Sequence, residues 1–119
     1  MKSYTDLTQS KKLAEILPLE SADMCYRIVA CNQNDTHEYQ PYCFVSTLES
    51  DIPCWSLTAL LNVLPRIEHL KPSIDLNPKL HSNDIAIYYY SEDSSYIVKD
   101  NLIDATFEMI IKLHELKLL

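Results

Sequence analysis

The chain has 119 residues, 47% of them hydrophobic and 23% charged, which is the composition of an ordinary globular domain with a packed core. Its 17 acidic and 10 basic side chains give a formal net charge of −7, which argues against a protein that binds nucleic-acid backbones through clustered Lys and Arg. Glycine is absent, so phosphate-binding loops, dinucleotide-binding turns, nucleophile elbows and EF-hand loops are excluded.

The first predicted element is a helix that starts at Thr5 or Asp6 and runs to about Leu17. Gln9 lies three residues after Asp6, which is the spacing of a capping box. Pro18 cannot continue the helix, so the predicted end of this element is well marked.

Two strands are predicted next. The run from Asp23 to Cys31 is rich in β-forming residues and predicts the first strand. Residues 32–38 are polar and predict a loop, after which Tyr42 to Thr47 predicts the second strand. We expect these two strands to pair as an antiparallel hairpin across that loop.

The central predicted helix carries leucines at the i, i+3, i+4 and i+7 positions of one face: Leu57, Leu60, Leu61 and Leu64. Ser56 is its expected N-cap, Trp55 is expected to pack against Leu60, and Pro65 ends it. We expect one core that contains Trp55, Leu57, Leu60, Leu61, Leu64, Phe107, Ile110 and Ile111.

The C-terminal half predicts an edge strand, a hairpin and a last helix. Ser73 to Asn77 lies between two prolines, which suits the edge of a sheet. Asp84 to Tyr90 and Ser95 to Lys99 predict the two strands of the hairpin. Asn101 is the expected N-cap of the last helix, whose apolar face is predicted to contain Ile103, Phe107, Ile110, Ile111, His114 and Leu118.

The resulting order of elements is α-β-β-α-β-β-β-α. It predicts a single two-layer α+β domain over residues 1–119, with three helices and an antiparallel sheet of about four to five strands. The polar N-terminus lacks a secretory signal and no apolar run is long enough to span a bilayer, so we expect a cytoplasmic protein with no membrane association.

Two predicted helices end in similar segments, at residues 13–18 and 60–65, and each is followed by a predicted strand. Two explanations of the similarity are an old duplication and two helix stops that arose independently. Independent stops are favoured because so few positions cannot define a repeat.

The four cysteines, at positions 25, 31, 43 and 54, lack a C-x-x-C pair. This favours buried thiols in a reducing compartment over disulfides or a zinc site that includes His37. Cys54 precedes a helix and is the thiol with a rationale as a nucleophile, yet a buried and inert thiol is favoured beside Trp55. His114 is expected as a core residue. We therefore expect no catalytic residue, no metal and no cofactor.

Tyrosines are concentrated in the predicted hairpin of the C-terminal half. Tyr88 and Tyr90, with Tyr96 across the hairpin, are candidates for a partner-binding surface, because exposed aromatic side chains dock proteins or stack on bases. The alternative is that these residues reflect β-propensity and cross-strand packing.

Three segments carry a resemblance: Ser10–Met24 (SKKLAEILPLESADM), Cys54–Pro65 (CWSLTALLNVLP) and Asp104–Leu116 (DATFEMIIKLHEL). They resemble short uncharacterised proteins of Bacteroides-type gut bacteria, of a kind encoded near phage and mobile-element genes. The resemblance covers the three helices and implies a small cytoplasmic accessory protein, but it supplies no catalytic residues.

Together these observations predict a non-enzymatic protein-interaction module from a phage or mobile element. Its acidity favours a basic protein partner, and direct nucleic-acid binding is not expected. The alternative is a protein that binds or sequesters a nucleotide signal. Such a site needs cations near the aromatic side chains, and Arg27, Arg66 and Lys99 are the candidates.

Overall fold

The computed structural model describes residues 2–31, 37–65, 72–76, 85–89, 96–117 and 119. Its α-helices are α1 (Leu7–Ala14), α2 (Leu57–Val63) and α3 (Leu102–Glu115), with a short 3-10 helix at Leu19–Ser21. Its strands are β1 (Met24–Cys31), β2 (His37–Tyr42), β3 (Ile52–Cys54), β4 (Pro72–Leu76), β5 (Ile85–Tyr89) and β6 (Tyr96–Lys99). Three helices with antiparallel strands confirm the predicted α+β class.

The described strands form two three-stranded antiparallel sheets, with the orders β2-β1-β3 and β4-β5-β6. The sequence predicts one sheet of four to five strands instead. The difference arises partly from β3, a strand of three residues that contains Pro53 and pairs with the first residues of β1. Such a short strand leaves no alternating pattern in the sequence, and it owes its existence to its pairing with β1.

The chain divides into two compact units, Tyr4–Ala59 and Met1–Ser3 together with Leu60–Leu119. We call them the N-terminal unit and the C-terminal unit, and describe each by itself. The single domain over residues 1–119 stays a prediction.

Helix α1 of the N-terminal unit has the predicted capping box. The Gln9 backbone N–H donates to the Asp6 carboxylate at 2.7 Å, and the Asp6 N–H donates to the Gln9 side chain at 3.1 Å. The helix ends at Ala14, before the predicted Leu17, because the residue that precedes Pro18 is disfavoured in helical geometry. The helix packs against β3.

Strand β2 begins earlier than predicted, at His37, and ends at Tyr42. The prediction of a strand over Tyr42 to Thr47 is therefore wrong. Pro41 lies within β2, which is tolerated because β2 is an edge strand. The register of the β1–β2 ladder shifts between Ile28 and Ala30, which leaves Val29 as the extra residue of a β-bulge.

Trp55 is fully buried in the N-terminal unit, as predicted, and its indole N–H donates to the Ser21 hydroxyl at 2.9 Å. The predicted N-cap of α2 is also confirmed, because the Ser56 hydroxyl accepts the Ala59 N–H at 3.2 Å. Asp23 in turn binds both the backbone N–H and the hydroxyl of Ser56. A cluster beneath the sheet contains Met24, Tyr26 and Cys54, with Tyr4, Leu7, Tyr39 and Ile52 packed against it.

In the C-terminal unit, β4 is an edge strand and β5 and β6 pair as a hairpin, both as predicted. Helix α3 packs against β5 and β6. Asn101 caps α3 by accepting the Asp104 N–H at 2.8 Å, as predicted. The Lys2 ammonium lies 2.7 Å from the Asp104 carboxylate.

The buried face of α3 differs from the predicted one. Its buried residues are Ile103, Ala105, Thr106, Met109, Ile110 and Leu113. Phe107 and Ile111 are only half-buried, and the prediction of His114 as a core residue is wrong because it is exposed. The helix carries two overlapping apolar faces, and the sheet covers the one that contains Met109 and Leu113. Leu118 lies outside the described residues.

Of the other predicted core residues, Leu60 and Leu64 are buried and Leu57 and Leu61 are half-buried. The strands that follow the two similar helix ends occupy different positions in their sheets. The strand after the first, β1, is central in its sheet, whereas the strand after the second, β4, is at an edge. This difference in topology favours independent helix stops over a duplication.

Helix α3 ends with Lys117 at a φ of 60°, the left-handed region in which a glycine is usual. The Lys117 N–H donates to the His114 carbonyl at 3.0 Å, and the Leu116 N–H donates to the Lys112 carbonyl at 3.0 Å. These bonds close the helix in a chain that has no glycine to place there.

Candidate interaction surface

A partly buried ion pair between Arg27 and Asp51 organises the loop over residues 43–51 between β2 and β3. The Arg27 Nε donates to the Asp51 Oδ1 at 3.0 Å, and the Arg27 Nη2 donates to the Asp51 Oδ2 at 2.9 Å. The Arg27 Nη2 also donates to the Thr47 hydroxyl at 2.8 Å. The Asp51 side chain is fully buried, whereas 29% of the Arg27 side chain is exposed. This bidentate geometry ties the loop to the central strand.

Asp51 also folds the loop upon itself. Its Oδ2 accepts the backbone N–H groups of Thr47 and Leu48, both at 3.1 Å, and its own N–H donates to the Leu48 carbonyl at 3.1 Å. The hydrogen bonds from Arg27 hold the pKa of the Asp51 carboxyl well below its usual range, against the opposing effect of burial. The N–H groups of Leu48 and Thr47 lower that pKa further. Asp51 is thus a charged anchor at neutral pH.

Two aromatic rings lie beside this anchor. Tyr42 and Phe44 stack with ring centroids 5.2 Å apart and planes at 29°. The Arg27 guanidinium carbon lies 4.9 Å from the centroid of the Phe44 ring, a cation–π distance. One arginine therefore binds the loop carboxylate with its nitrogens and supports an aromatic ring with its face.

The side chains around this scaffold are exposed although they are apolar. Phe44 is 41% exposed, Val45 57% and Leu48 53%. We call the group formed by Arg27, Tyr42, Phe44, Val45 and Leu48 the Arg27–Phe44 surface. Aromatic residues and Arg are enriched among the residues that dominate protein–protein binding energies. Phe44, Val45 and Leu48 lie within one loop that Asp51 holds, and exposed apolar patches mark interaction sites.

The predicted tyrosines belong to the other sheet. The backbones of Tyr88 and Tyr96 are directly paired in the β5–β6 ladder. Their side chains, and Tyr90 altogether, lie outside the described residues. Their role in partner binding stays a prediction.

The thiol of Cys54 lies in a closed polar network. It donates to the Thr5 carbonyl at 3.5 Å and lies 3.6 Å from the Thr5 hydroxyl, which is 2.8 Å from the Ser10 hydroxyl. Thr5, Ser10 and Cys54 are all fully buried. Burial raises the pKa of the Cys54 thiol, which keeps it protonated and away from reagents. This confirms the buried thiol predicted at Cys54.

The four cysteines are free thiols, and their environments differ. Cys25 is buried like Cys54, as predicted, but Cys31 and Cys43 are exposed, and for them the prediction of burial is wrong. Cys31 is the last residue of β1 and Cys43 follows the last residue of β2, so neither lies over the core.

In the part of the chain that the structure describes, no three His, Cys, Asp or Glu side chains are grouped in a way that would hold a metal ion. Within the same described ranges, no helix has the length and apolar character of a membrane span.

The Arg27–Phe44 surface is not among the sites that the sequence predicts. The one local signal is the pair of aromatic residues at Tyr42 and Phe44, and their spacing predicts a strand. Recognising the surface requires the contact between Arg27 and Asp51, which are 24 positions apart and share no local motif.

Comparison with known proteins adds no relative to this description, since no protein-family model, curated protein or solved structure matches the chain. The resemblance to the Bacteroides-type proteins stays a prediction.

Proposed function

We propose that this protein is a non-enzymatic interaction module that binds a basic protein partner through the Arg27–Phe44 surface. The observation that carries the proposal is the exposure of Phe44, Val45 and Leu48 on a loop that is fixed by the partly buried Arg27–Asp51 pair. In keeping with the resemblance noted above, the partner belongs to the cytoplasm and is encoded by the host or by a phage or mobile element.

The fixed loop supports this proposal because binding costs less when the interface is already ordered. Asp51 accepts four hydrogen bonds, two from Arg27 and two from backbone N–H groups of the loop. The loop backbone that carries the apolar side chains therefore loses little conformational freedom when a partner covers it.

Charge supports a basic partner. Between Tyr4 and Ala59 the sequence has eight acidic side chains and three basic ones. Arg27 is one of those three, and its charge is compensated by Asp51. Electrostatic complementarity therefore favours apolar partner surfaces surrounded by Lys and Arg, and the net charge of −7 disfavours a second copy of this chain as the occupant.

The same ion pair weighs against the nucleotide-signal alternative at this surface. A phosphate needs an available cation, but both Arg27 nitrogens that point to the loop already donate to Asp51 or Thr47. Of the other cations named for that alternative, Lys99 is exposed on β6 and Arg66 lies outside the described residues.

The test begins with a photo-crosslinking amino acid in place of Phe44, used in cells of the native host to identify the partner. The partner is then purified, and its Kd for the wild-type chain is compared with that for Phe44→Ala and Leu48→Ala. We expect each substitution to weaken binding at least tenfold, a loss of about 1.4 kcal/mol or more, as for central interface residues.

Leu19→Ala is the matched control, because Leu19 is 55% exposed in the same unit but lies on the 3-10 helix. It should leave the Kd unchanged, and higher salt should weaken binding of the wild-type chain. Equal affinities of wild-type, Phe44→Ala and Leu48→Ala chains would refute the proposal. Loss of binding in Tyr88→Ala alone would move the interface to the tyrosine hairpin, and concentration-dependent dimers of the purified chain would identify a second copy as the occupant.

A further inference from the structure

Cys31 and His37 form an exposed thiol–imidazole pair at the end of the β1–β2 ladder. The two residues are directly opposite each other in the antiparallel register, so their side chains leave the same face of the sheet. The Cys31 Sγ lies 3.2 Å from the His37 Nδ1. Both side chains are exposed, so a small reagent reaches the sulfur without any opening of the fold.

The imidazole is positioned from a second side. Its ring meets the Tyr39 ring edge-to-face, with centroids 6.3 Å apart and planes at 81°. Tyr39 is itself packed near α1, where the Lys11 ammonium lies 5.8 Å from its ring centroid. The neighbouring Glu38 is paired with Ala30, so its carboxylate starts from the opposite face of the sheet. On the face that Cys31 and His37 share, the neighbour of the Cys31 sulfur is therefore the His37 imidazole and not the Glu38 carboxylate.

The other cysteines lack this combination of features. Cys25 and Cys54 are buried, and burial raises the pKa of both thiols. Cys43 is exposed, but it lies on the loop after β2, and the histidine contact belongs to Cys31. The chain thus contains one exposed thiol beside a base and one exposed thiol that serves as an internal reference.

We propose that Cys31 is a thiol–disulfide exchange site for small disulfides, with His37 as the base that receives the thiol proton. The Cys31 sulfur attacks one sulfur of the small disulfide, a new S–S bond forms, and the original S–S bond breaks. The other half leaves as a thiol after it takes the proton that His37 removed. Cys31 is oxidised and the departing half is reduced, so the exchange needs no other reactant.

The thiol–imidazole pair lies on the opposite face of the sheet from the Arg27–Phe44 surface, because Arg27 pairs with Gln40 whereas Tyr39, two residues after His37 on the same strand, pairs with Ile28. Exchange at Cys31 and partner binding are therefore independent.

The experiment uses the intact, reduced protein and 4,4′-dithiodipyridine, a small neutral disulfide, at pH 7. The rate of thiopyridone release is followed by absorbance, and peptide mass spectrometry assigns it to individual cysteines. We expect Cys31 to react at least about tenfold faster than Cys43, since a positioned base accelerates steps that require loss of a proton. His37→Gln should lower the Cys31 rate to that of Cys43.

Two controls separate this effect from general exposure. His114→Gln changes an exposed histidine on α3 and should leave the Cys31 rate unchanged. In concentrated urea, Cys31 and Cys43 should react at similar rates, because the pairing of β1 with β2 is lost. The proposal is overturned if Cys31 and Cys43 of the folded wild-type chain react equally fast, or if folded His37→Gln retains the fast reaction at Cys31.

Discussion

Thr5 connects α1, β1 and β3 through one buried hydroxyl and one carbonyl. Its hydroxyl accepts the Trp55 N–H at 3.2 Å and lies 2.8 Å from the Ser10 hydroxyl. Its carbonyl accepts the Tyr26 hydroxyl at 2.7 Å, and burial raises the pKa of that phenol, which keeps it a donor. These polar groups are buried and cannot bond to water. Their hydrogen bonds to one another therefore offset the free-energy cost of burying them.

Thr5→Val should destabilise the protein although it keeps the shape of the side chain. The Trp55 N–H and the Ser10 hydroxyl each lose a buried partner, for which we expect a loss of about 1–3 kcal/mol in the free energy of unfolding. Thr5→Ser retains the hydroxyl and should cost less than Thr5→Val. Urea unfolding of the three chains measures the difference, and equal stabilities of Thr5→Val and wild type would contradict the role of this network.

Trp55 is the largest fully buried side chain, and its removal should be among the most damaging single changes. Trp55→Ala should lower the free energy of unfolding by about 3–5 kcal/mol, because a large cavity replaces the ring. Trp55→Phe keeps most of the packing but loses the bond to Ser21, so it should cost distinctly less. Thermal or chemical unfolding checks the order, and a small effect of Trp55→Ala would show that the ring does not support the core.

At the scale of elements, the loop over residues 43–51 should make stability depend on pH. The pKa of Asp51 is lowered in the folded protein, whereas an Asp in the unfolded chain titrates near 3.9. The Asp51 carboxylate therefore makes its full contribution to the free energy of unfolding above about pH 4. This contribution decreases as the pH falls below the pKa of Asp in the unfolded chain.

Asp51→Asn tests this contribution. At pH 7 the substitution should cost about 1.5–3 kcal/mol, the range for hydrogen bonds to charged groups. The difference between wild type and Asp51→Asn should shrink as the pH is lowered from 4 toward 2. Glu49→Gln, which removes an exposed carboxylate of the same loop, should show no such trend. A difference that is constant across this pH range would exclude Asp51 as the titrating group.

The end of α3 makes a second prediction at this scale. A residue other than glycine pays about 1–2 kcal/mol for a left-handed conformation, and Lys117 adopts one at a φ of 60°. Lys117→Gly should raise the free energy of unfolding by about 0.5–1 kcal/mol, after allowance for the larger entropy of glycine in the unfolded chain. Lys117→Ala keeps the conformational cost and should not stabilise the protein. A gain in Lys117→Ala equal to that in Lys117→Gly would attribute the effect to charge.

Elements with local signals were predictable from the sequence. The Asp6–Gln9 capping box, the Asn101 cap and the β5–β6 hairpin each depend on residues close together in the chain, and the structure has all three. Strand β2 was displaced in the prediction because Phe44 and Val45 have high β-propensity. The distant Arg27 and the nearby Asp51 hold that segment in a loop instead, and no local pattern reports such a contact.

Contacts between residues distant in the chain also explain why the candidate site is not predictable from the sequence. The sequence predicts an aromatic interaction surface at Tyr88, Tyr90 and Tyr96, and this stays a prediction because their side chains lie outside the described residues. The Arg27–Phe44 surface depends on one ion pair across 24 positions. The buried face of α3 differs from the predicted one for a related reason. Periodicity shows that a helix is amphipathic, but the sheet beneath it selects which of two adjacent faces is buried.

For the whole molecule, the two sheets differ in the sequence distance between neighbouring strands. In β4-β5-β6 each strand pairs with the next one along the chain, whereas β1 pairs with β3 across the intervening β2. Nearby pairings close smaller loops and form faster. We expect the amides of β6 to gain protection before those of β3 in pulsed hydrogen exchange during refolding. Earlier protection of β3 would contradict this order.

The central position of β1 also has a consequence for synthesis in the cell. The ribosome completes β1 at Cys31 and does not complete its second partner until Cys54, 23 residues later. At roughly 5–20 residues per second, that interval lasts on the order of 1–5 s. Throughout it the edge of β1 that later pairs with β3 is unpaired, which is an opportunity for a chaperone, or for the wrong strand, to bind first.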